Sequence, residues 1–219
     1  MNIIYTNADC LTNKRNELLL LINSMECKPD IIIITEVNSK VAKNKMQESE
    51  FHIDGFVLFS TNVGALQSRG IIMFVNNLVP CTHANICTKF EECLFVKIHG
   101  SSGNNLLIGV FYRSPNSLPD NDRNLYNDLD KLRSDFCGKI LLIGDFNFPG
   151  INWSNWTSSC VNFNSSEKLF LAILQKFFWI QHVDKPTRAR GSDKSNILDL
   201  IITNEEFIEN LCYLSPLGC

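Results

Sequence analysis

Lys139-Ile140-Leu141-Leu142-Ile143-Gly144-Asp145-Phe146-Asn147 is an aliphatic run that ends in a glycine, an acid and, two residues on, an amide. A short apolar run bounded in this way reads as a buried strand over residues 139–144. In a β period Asp145 and Asn147 share one face. The strand therefore delivers a carboxylate and an amide together at its C-terminal end. Such a pair can orient or deprotonate a water and donate hydrogen bonds to an oxyanion developing on phosphorus or carbon. The same fragment also serves to close a strand with an Asx turn.

Two other strands end in the same manner. The run Ile31-Ile32-Ile33-Ile34-Thr35 leads into Glu36, and Ile3-Ile4-Tyr5-Thr6 leads into Asn7. If these strands lie beside the first, a second carboxylate and an amide oxygen join Asp145 and Asn147 at one sheet edge. Hard oxygen donors of this kind suit Mg²⁺, with Mn²⁺ as the alternative ion. Taken singly, Glu36 also reads as a solvated residue after a strand, and Asn7 as a turn residue leading into a helix.

The segments between these ends read as a β-α-β opening: a strand at residues 2–6, a one-sided apolar helix at 13–25 and a β-branched strand at 30–35. Strand patterns follow at 51–60, 70–75, 93–99 and 106–112, with few helical signals between them. Residues 120–134 place Leu125, Leu129 and Leu132 at helical spacing behind an acidic, Asn-rich start suited to capping. Ser165-Ser166-Glu167 opens a further helix, and residues 198–203 close the pattern as a strand.

Composition narrows the class. With 219 residues, 45% of them apolar, and a net charge of −3, the chain is expected to form one domain, 1–219, around one core. It is too apolar for disorder, and its aliphatic runs at 18–22 and 31–34 are too short to span a membrane. The N-terminus lacks a signal-peptide pattern, so an intracellular, non-secreted monomer is expected. Nine cysteines with no C-x-x-C pair point to free thiols. No P-loop, G-x-G-x-x-G or G-x-S-x-G motif occurs. Weak acidity excludes a protein that coats nucleic acid by bulk charge, but Lys185, Arg188, Arg190 and Lys194 form a local basic cluster.

Further groups suit phosphate chemistry. Tyr112-Arg113 ends a strand with a phenol and a guanidinium, both able to hold a phosphate oxygen. Lys185 and Thr187 add charge and a hydroxyl, and Asp199 sits inside an apolar strand, where a buried acid needs a partner. His52, His83, His99 and His182 have no motif context and are taken as structural.

The ordered series Asn7, Thr35-Glu36, Tyr112-Arg113, Gly144-Asp145-Phe146-Asn147, Pro186-Thr187-Arg188 and Leu198-Asp199-Leu200 resembles the endonuclease/exonuclease/phosphatase superfamily. It is most similar to the apurinic-type endonuclease domain of jockey-like non-LTR retrotransposons. The resemblance implies a four-layer α/β sandwich, two mixed β-sheets packed face to face with helices outside. It also implies a Mg²⁺-dependent DNA endonuclease that nicks one strand for a linked reverse transcriptase, nuclear if functional.

Carried over, Glu36 is the main metal ligand with Asn7 beside it. Asp145 activates water, Asn147 steadies the transition state and Tyr112 holds the phosphate or assists the leaving group. Asp199 orients a histidine, and Arg113, Thr187, Arg188, Lys185 and Arg190 bind phosphate or DNA. In such a family a Ser-Asp-His triplet follows a Pro-Leu-Gly lead-in, present here as Pro216-Leu217-Gly218 before Cys219. A domain truncated just before that segment, and poorly active for that reason, is therefore expected. The alternatives are a non-catalytic, weakly DNA-binding remnant and a phosphodiesterase acting on a lipid or inositol phosphate.

Overall fold

A computed structural model describes residues 1–39, 47–65, 68–187 and 195–218. In chain order the elements are β1 (Ile3–Asn7), α1 (Arg15–Ser24), β2 (Ile31–Thr35), β3 (Phe56–Thr61), β4 (Ile71–Asn76), β5 (Cys81–His83), β6 (Cys93–Ile98) and β7 (Leu106–Tyr112). They continue with α2 (Pro119–Asp135), β8 (Lys139–Asp145), β9 (Ile151–Asn152), β10 (Thr157–Ser158), α3 (Ser166–Lys176), β11 (Ile180–Gln181) and β12 (Asp199–Thr203). One sheet has the order β1-β2-β4-β3, the other β11-β12-β8-β7-β6-β5, and β9 and β10 form a separate hairpin. Each large sheet is mixed, because β1 and β2, like β7 and β8, run parallel while their other neighbours are antiparallel.

Strand β2 is buried at every position, four isoleucines followed by Thr35, because both its faces are covered. Ile31 and Ile33 face the second sheet, packing with Met73, Val96, Ile108, Val110 and Ile143. Ile32 and Ile34 face outward, onto Leu18 and Ile22 of α1. On the far side, Leu107, Phe111, Leu142 and Leu200 pack on Leu125, Leu129 and Leu132 of α2 and on Phe170 and Leu174 of α3. The result is the expected four-layer sandwich, with helix, sheet, sheet and helices in succession.

Local details differ from the sequence reading. Helix α1 starts only at Arg15, after a 3₁₀ turn over Leu11–Asn13. The strand expected from residue 51 starts at Phe56, after a left-handed Gly55, while Phe51 is buried against the outer face of the first sheet. Helix α2 has no side-chain cap. Pro119 occupies its first position, where a missing N–H costs nothing, and Asp122, in the acidic start, is buried for another purpose. Strands β5, β9, β10 and β11 went unread because two or three residues carry no period.

The described cysteines are all free thiols. No helix among the described residues is long and apolar enough to cross a membrane.

Candidate active site

Parallel pairing places strand ends level with one another. Asn7 lies opposite Thr35, the residue before Glu36. Asp145 lies opposite Tyr112 on one side and Asp199 on the other. One amide then joins carboxylates from the two sheets: Asn7 Nδ2 donates to Glu36 Oε1 at 2.8 Å and to Asp145 Oδ2 at 3.0 Å. Glu36 and Asp145 are 3% and 1% exposed, so two buried carboxylates share one donor. Glu36 takes a left-handed φ of 53°, turning the chain just as the strand ends, and Asn147 does the same at 51°. Gly144 is required between them, since a Cβ there would lie 1.9 Å from the Phe111 carbonyl oxygen. The amide Nδ2 of Asn147 is buried and has no hydrogen-bond partner among the described residues. Burial, with the charges of Glu36 and Asp145, pushes the Tyr112 phenol well up, so it remains a proton donor at neutral pH.

Arg69, at the start of β4, brings positive charge to this edge. Its Nη2 donates to Glu36 Oε2 and, at 2.8 Å, to Asp9 Oδ1. The backbone around it is held by Glu92, which accepts from the N–H groups of Arg69 and Gly70, and by Asn38, whose N–H donates to the Arg69 carbonyl. One guanidinium thus faces Glu36 and Asp9 with Asp145 one amide away, a cluster with more negative than positive charge. Oxygen donors with an excess of negative charge fit a hard divalent cation, Glu36 and Asp145 being the buried pair that Asn7 links.

Solved structures with this architecture include the endonuclease domain of TRAS1, a telomere-specific non-LTR retrotransposon (TM-score 0.64, 13% identity, 91% of this chain and 82% of that one). They also include the AP endonuclease LMAP from Leishmania major (TM-score 0.64, 13% identity, 92% and 78%). A third is the 3′ phosphatase NExo from Neisseria bound to a product DNA hairpin (TM-score 0.61, 14% identity, 93% and 86%). These likenesses concern the fold. No curated protein matches the sequence. The family model described as endonuclease-reverse transcriptase matches residues 106–217, just over half the chain. The chain belongs to the endonuclease-reverse transcriptase family. With that membership and this fold it lies within the endonuclease/exonuclease/phosphatase superfamily, a nuclease-type hydrolase assignment.

Several residues expected at the site of this family member have other occupations. Arg113 does not face a phosphate site: Nε and Nη2 donate to Asp122 Oδ1 and Oδ2 at 2.7 and 2.8 Å, and Nη1 to the Asn147 carbonyl at 2.9 Å. Its guanidinium also lies 4.2 Å from the centroid of the Phe148 ring. It braces the strand end that carries Asn147. Thr187 Oγ1 accepts from the N–H groups of Leu198 and Asp199, and its own N–H reaches the Asn196 carbonyl. That hydroxyl fastens the entry to β12. Lys185 sets its ammonium 5.0 Å from the centroid of Tyr213, away from the carboxylate pair's hydrogen bonds. Arg188 and Arg190 lie outside the described residues.

Asn7 links the two carboxylates through Nδ2, while its Oδ1 accepts from the Asp9 N–H. Asp199 accepts a 2.6 Å hydrogen bond from the Tyr5 phenol. The four histidines are engaged elsewhere, with Asp54, Asn85, Thr82 and Thr203. Three contributors went unread: Tyr5, Asp9 and Arg69. Tyr5 shares a strand face with Asn7 two residues on, which is a usable signal. Arg69 offers none until the antiparallel pairing of Thr35 with Ile71 brings the start of β4 beside Glu36.

Proposed function

We propose that this chain is a divalent-metal-dependent DNA endonuclease that nicks one strand, the step that would expose a 3′-hydroxyl for a linked reverse transcriptase. The observation that carries this reading is the juxtaposition of Glu36, Asp145 and the Asn147 amide with the raised phenol of Tyr112 at one edge. Nucleases of this superfamily generally use divalent metals. Here Glu36, backed by the Asn7 amide, would hold such an ion, which when bound supplies positive charge against the phosphate.

The chain's own groups then divide the work. Asp145 accepts a proton from the attacking water as its oxygen bonds to phosphorus. Asn147 Nδ2 donates to the oxygen on which negative charge accumulates. The bond from phosphorus to O3′ breaks, and Tyr112, still protonated, donates to the departing O3′. The products are a 3′-hydroxyl and a 5′-phosphate.

Supercoiled plasmid incubated with the protein and Mg²⁺ should relax to the nicked circle, and EDTA should prevent it, while a lipid phosphodiester should remain intact. Asp145→Asn should slow nicking by about a hundredfold or more with the Tm largely preserved. A variant that nicks at the wild-type rate would overturn the assignment of Asp145. Hydrolysis of the lipid in preference to DNA would move the substrate class, and no hydrolysis of either would leave a non-catalytic DNA-binding remnant.

A further inference from the structure

Arg69 is 7% exposed, yet only its Nη2 is hydrogen-bonded: Nε and Nη1 are buried without a partner among the described residues. A buried arginine held for structural reasons normally spends its donors, because each one left over costs the desolvation that burial imposed. The incomplete bonding has a counterpart on the carboxylate. Glu36 has one oxygen taken by Asn7 and the other by Arg69, so an ion approaching Glu36 meets a carboxylate already neutralised. A divalent ion and a guanidinium on the same buried carboxylate repel one another strongly at low dielectric. Among the described residues only Glu36 and Asp9 accept hydrogen bonds from the guanidinium, so it is the group that can give way.

We propose that Arg69 is a built-in counter-cation that competes with the divalent ion for Glu36. Resting on the metal-dependent reading above, this makes Arg69 a positioning residue whose guanidinium neutralises Glu36 and Asp9 and releases Glu36 when the ion binds. Nε and Nη1 have no partner among the described residues, so moving the guanidinium breaks only the bonds at Nη2. The opposite role, in which Arg69 orients Glu36 for the ion, makes the opposite prediction about affinity. The sign of one measurement separates them.

The measurement is Mg²⁺ binding by calorimetry to the whole chain, in the wild type, Arg69→Met and Arg69→Lys, after EDTA treatment. Removing the competitor should tighten Mg²⁺ binding in Arg69→Met by about tenfold or more, and Mg²⁺ should raise the Tm of that variant more than it raises the wild type's. Arg69→Lys, which keeps the charge but not the planar fork, should fall between them and guards against a Met variant that does not fold. Unchanged or weaker Mg²⁺ binding in both variants overturns the proposal, and weaker binding makes Arg69 an orienting group for Glu36. Glu36→Gln, alone and combined with Arg69→Met, separates the two levels. If it leaves Mg²⁺ affinity unaltered in both backgrounds, the ion is not at Glu36, and the metal-site reading falls together with this one.

Discussion

Arg113 and Arg69 are buried to the same degree, each 7% exposed, and each answers a buried carboxylate near the same sheet edge. The chain uses them differently. Arg113 forms a two-pronged pair with Asp122, gives its remaining Nη1 to the Asn147 carbonyl and lies over Phe148, so its nitrogens and its flat face are all engaged. Arg69 bridges Glu36 and Asp9 through one nitrogen and leaves two without partners among the described residues. Burial and ion pairing alone therefore do not separate a brace from a group that takes part in binding. What separates them is how many donors are spent, because a guanidinium bound on every side cannot move without breaking several hydrogen bonds together.

The largest expected effect lies on the braced side. Arg113→Met leaves the Asp122 carboxylate, 2% exposed, without its cation, a loss of about 3–5 kcal/mol for a broken buried pair. In a domain of this length that is a fall of about 6–20 °C in Tm. Mg²⁺ should not narrow the gap to the wild type, since Asp122 is bonded to Arg113 and Ser166, not to the carboxylates at Glu36, so both chains should gain alike from the ion. Melting with and without Mg²⁺ checks this. A gap to the wild type that closes on adding Mg²⁺ would place Arg113 in the same class as Arg69 and erase the contrast.

The two arginines also show where sequence is transparent and where it is not. Glu36, Tyr112, Asp145 and Asn147 were legible because each follows or ends an apolar run, so the chain's own order delivers it to a sheet edge. The layers were legible for a related reason: β2, β7 and β8 each carry an apolar run, and Leu125, Leu129 and Leu132 keep a helical stripe on α2. Arg113 was misread because its partner Asp122 sits in a helix start that looks solvated, with Asp120 and Arg123 beside it forming an exposed pair. Arg69 went unread because its meeting with Glu36 depends on the pairing of β2 with β4, which no local pattern announces. Local order thus places a strand's terminal residue, while the partner that completes it comes from topology.

A middle-sized effect sharpens the same contrast. Ser166 Oγ donates to Asp122 Oδ2 at 2.6 Å, tying the first turn of α3 to α2 and completing the set around the Arg113 pair. Burial pushes the Asp122 carboxyl up, but hydrogen bonds from Arg113, Ser166 and Ser117 and the Arg113 charge outweigh it and hold it below its usual range. Ser166→Ala removes one hydrogen bond to a charged group and should cost about 1.5–3 kcal/mol, measured by denaturant unfolding at neutral pH. A cost under about 0.5 kcal/mol would mean that Arg113 alone satisfies Asp122.

The smallest effect belongs to the support beneath Arg69. Burial raises Glu92 from its ordinary 4.5 to about 7, against the N–H groups of Gly70 and Arg69 that favour its charged form. The folded chain thus keeps a proton that the unfolded chain releases over this interval. The stability this contributes is fully present below about pH 4.5 and is lost as pH rises through about 7. Glu92→Gln cannot titrate, and its amide oxygen can accept from the same two N–H groups. The wild type should therefore lose Tm relative to the variant as pH climbs through that window, with the difference levelling off above it. Parallel Tm profiles would show that Glu92 keeps its ordinary acidity, and that Arg69's backbone is held as firmly, and as independently of pH, as the Arg113 brace.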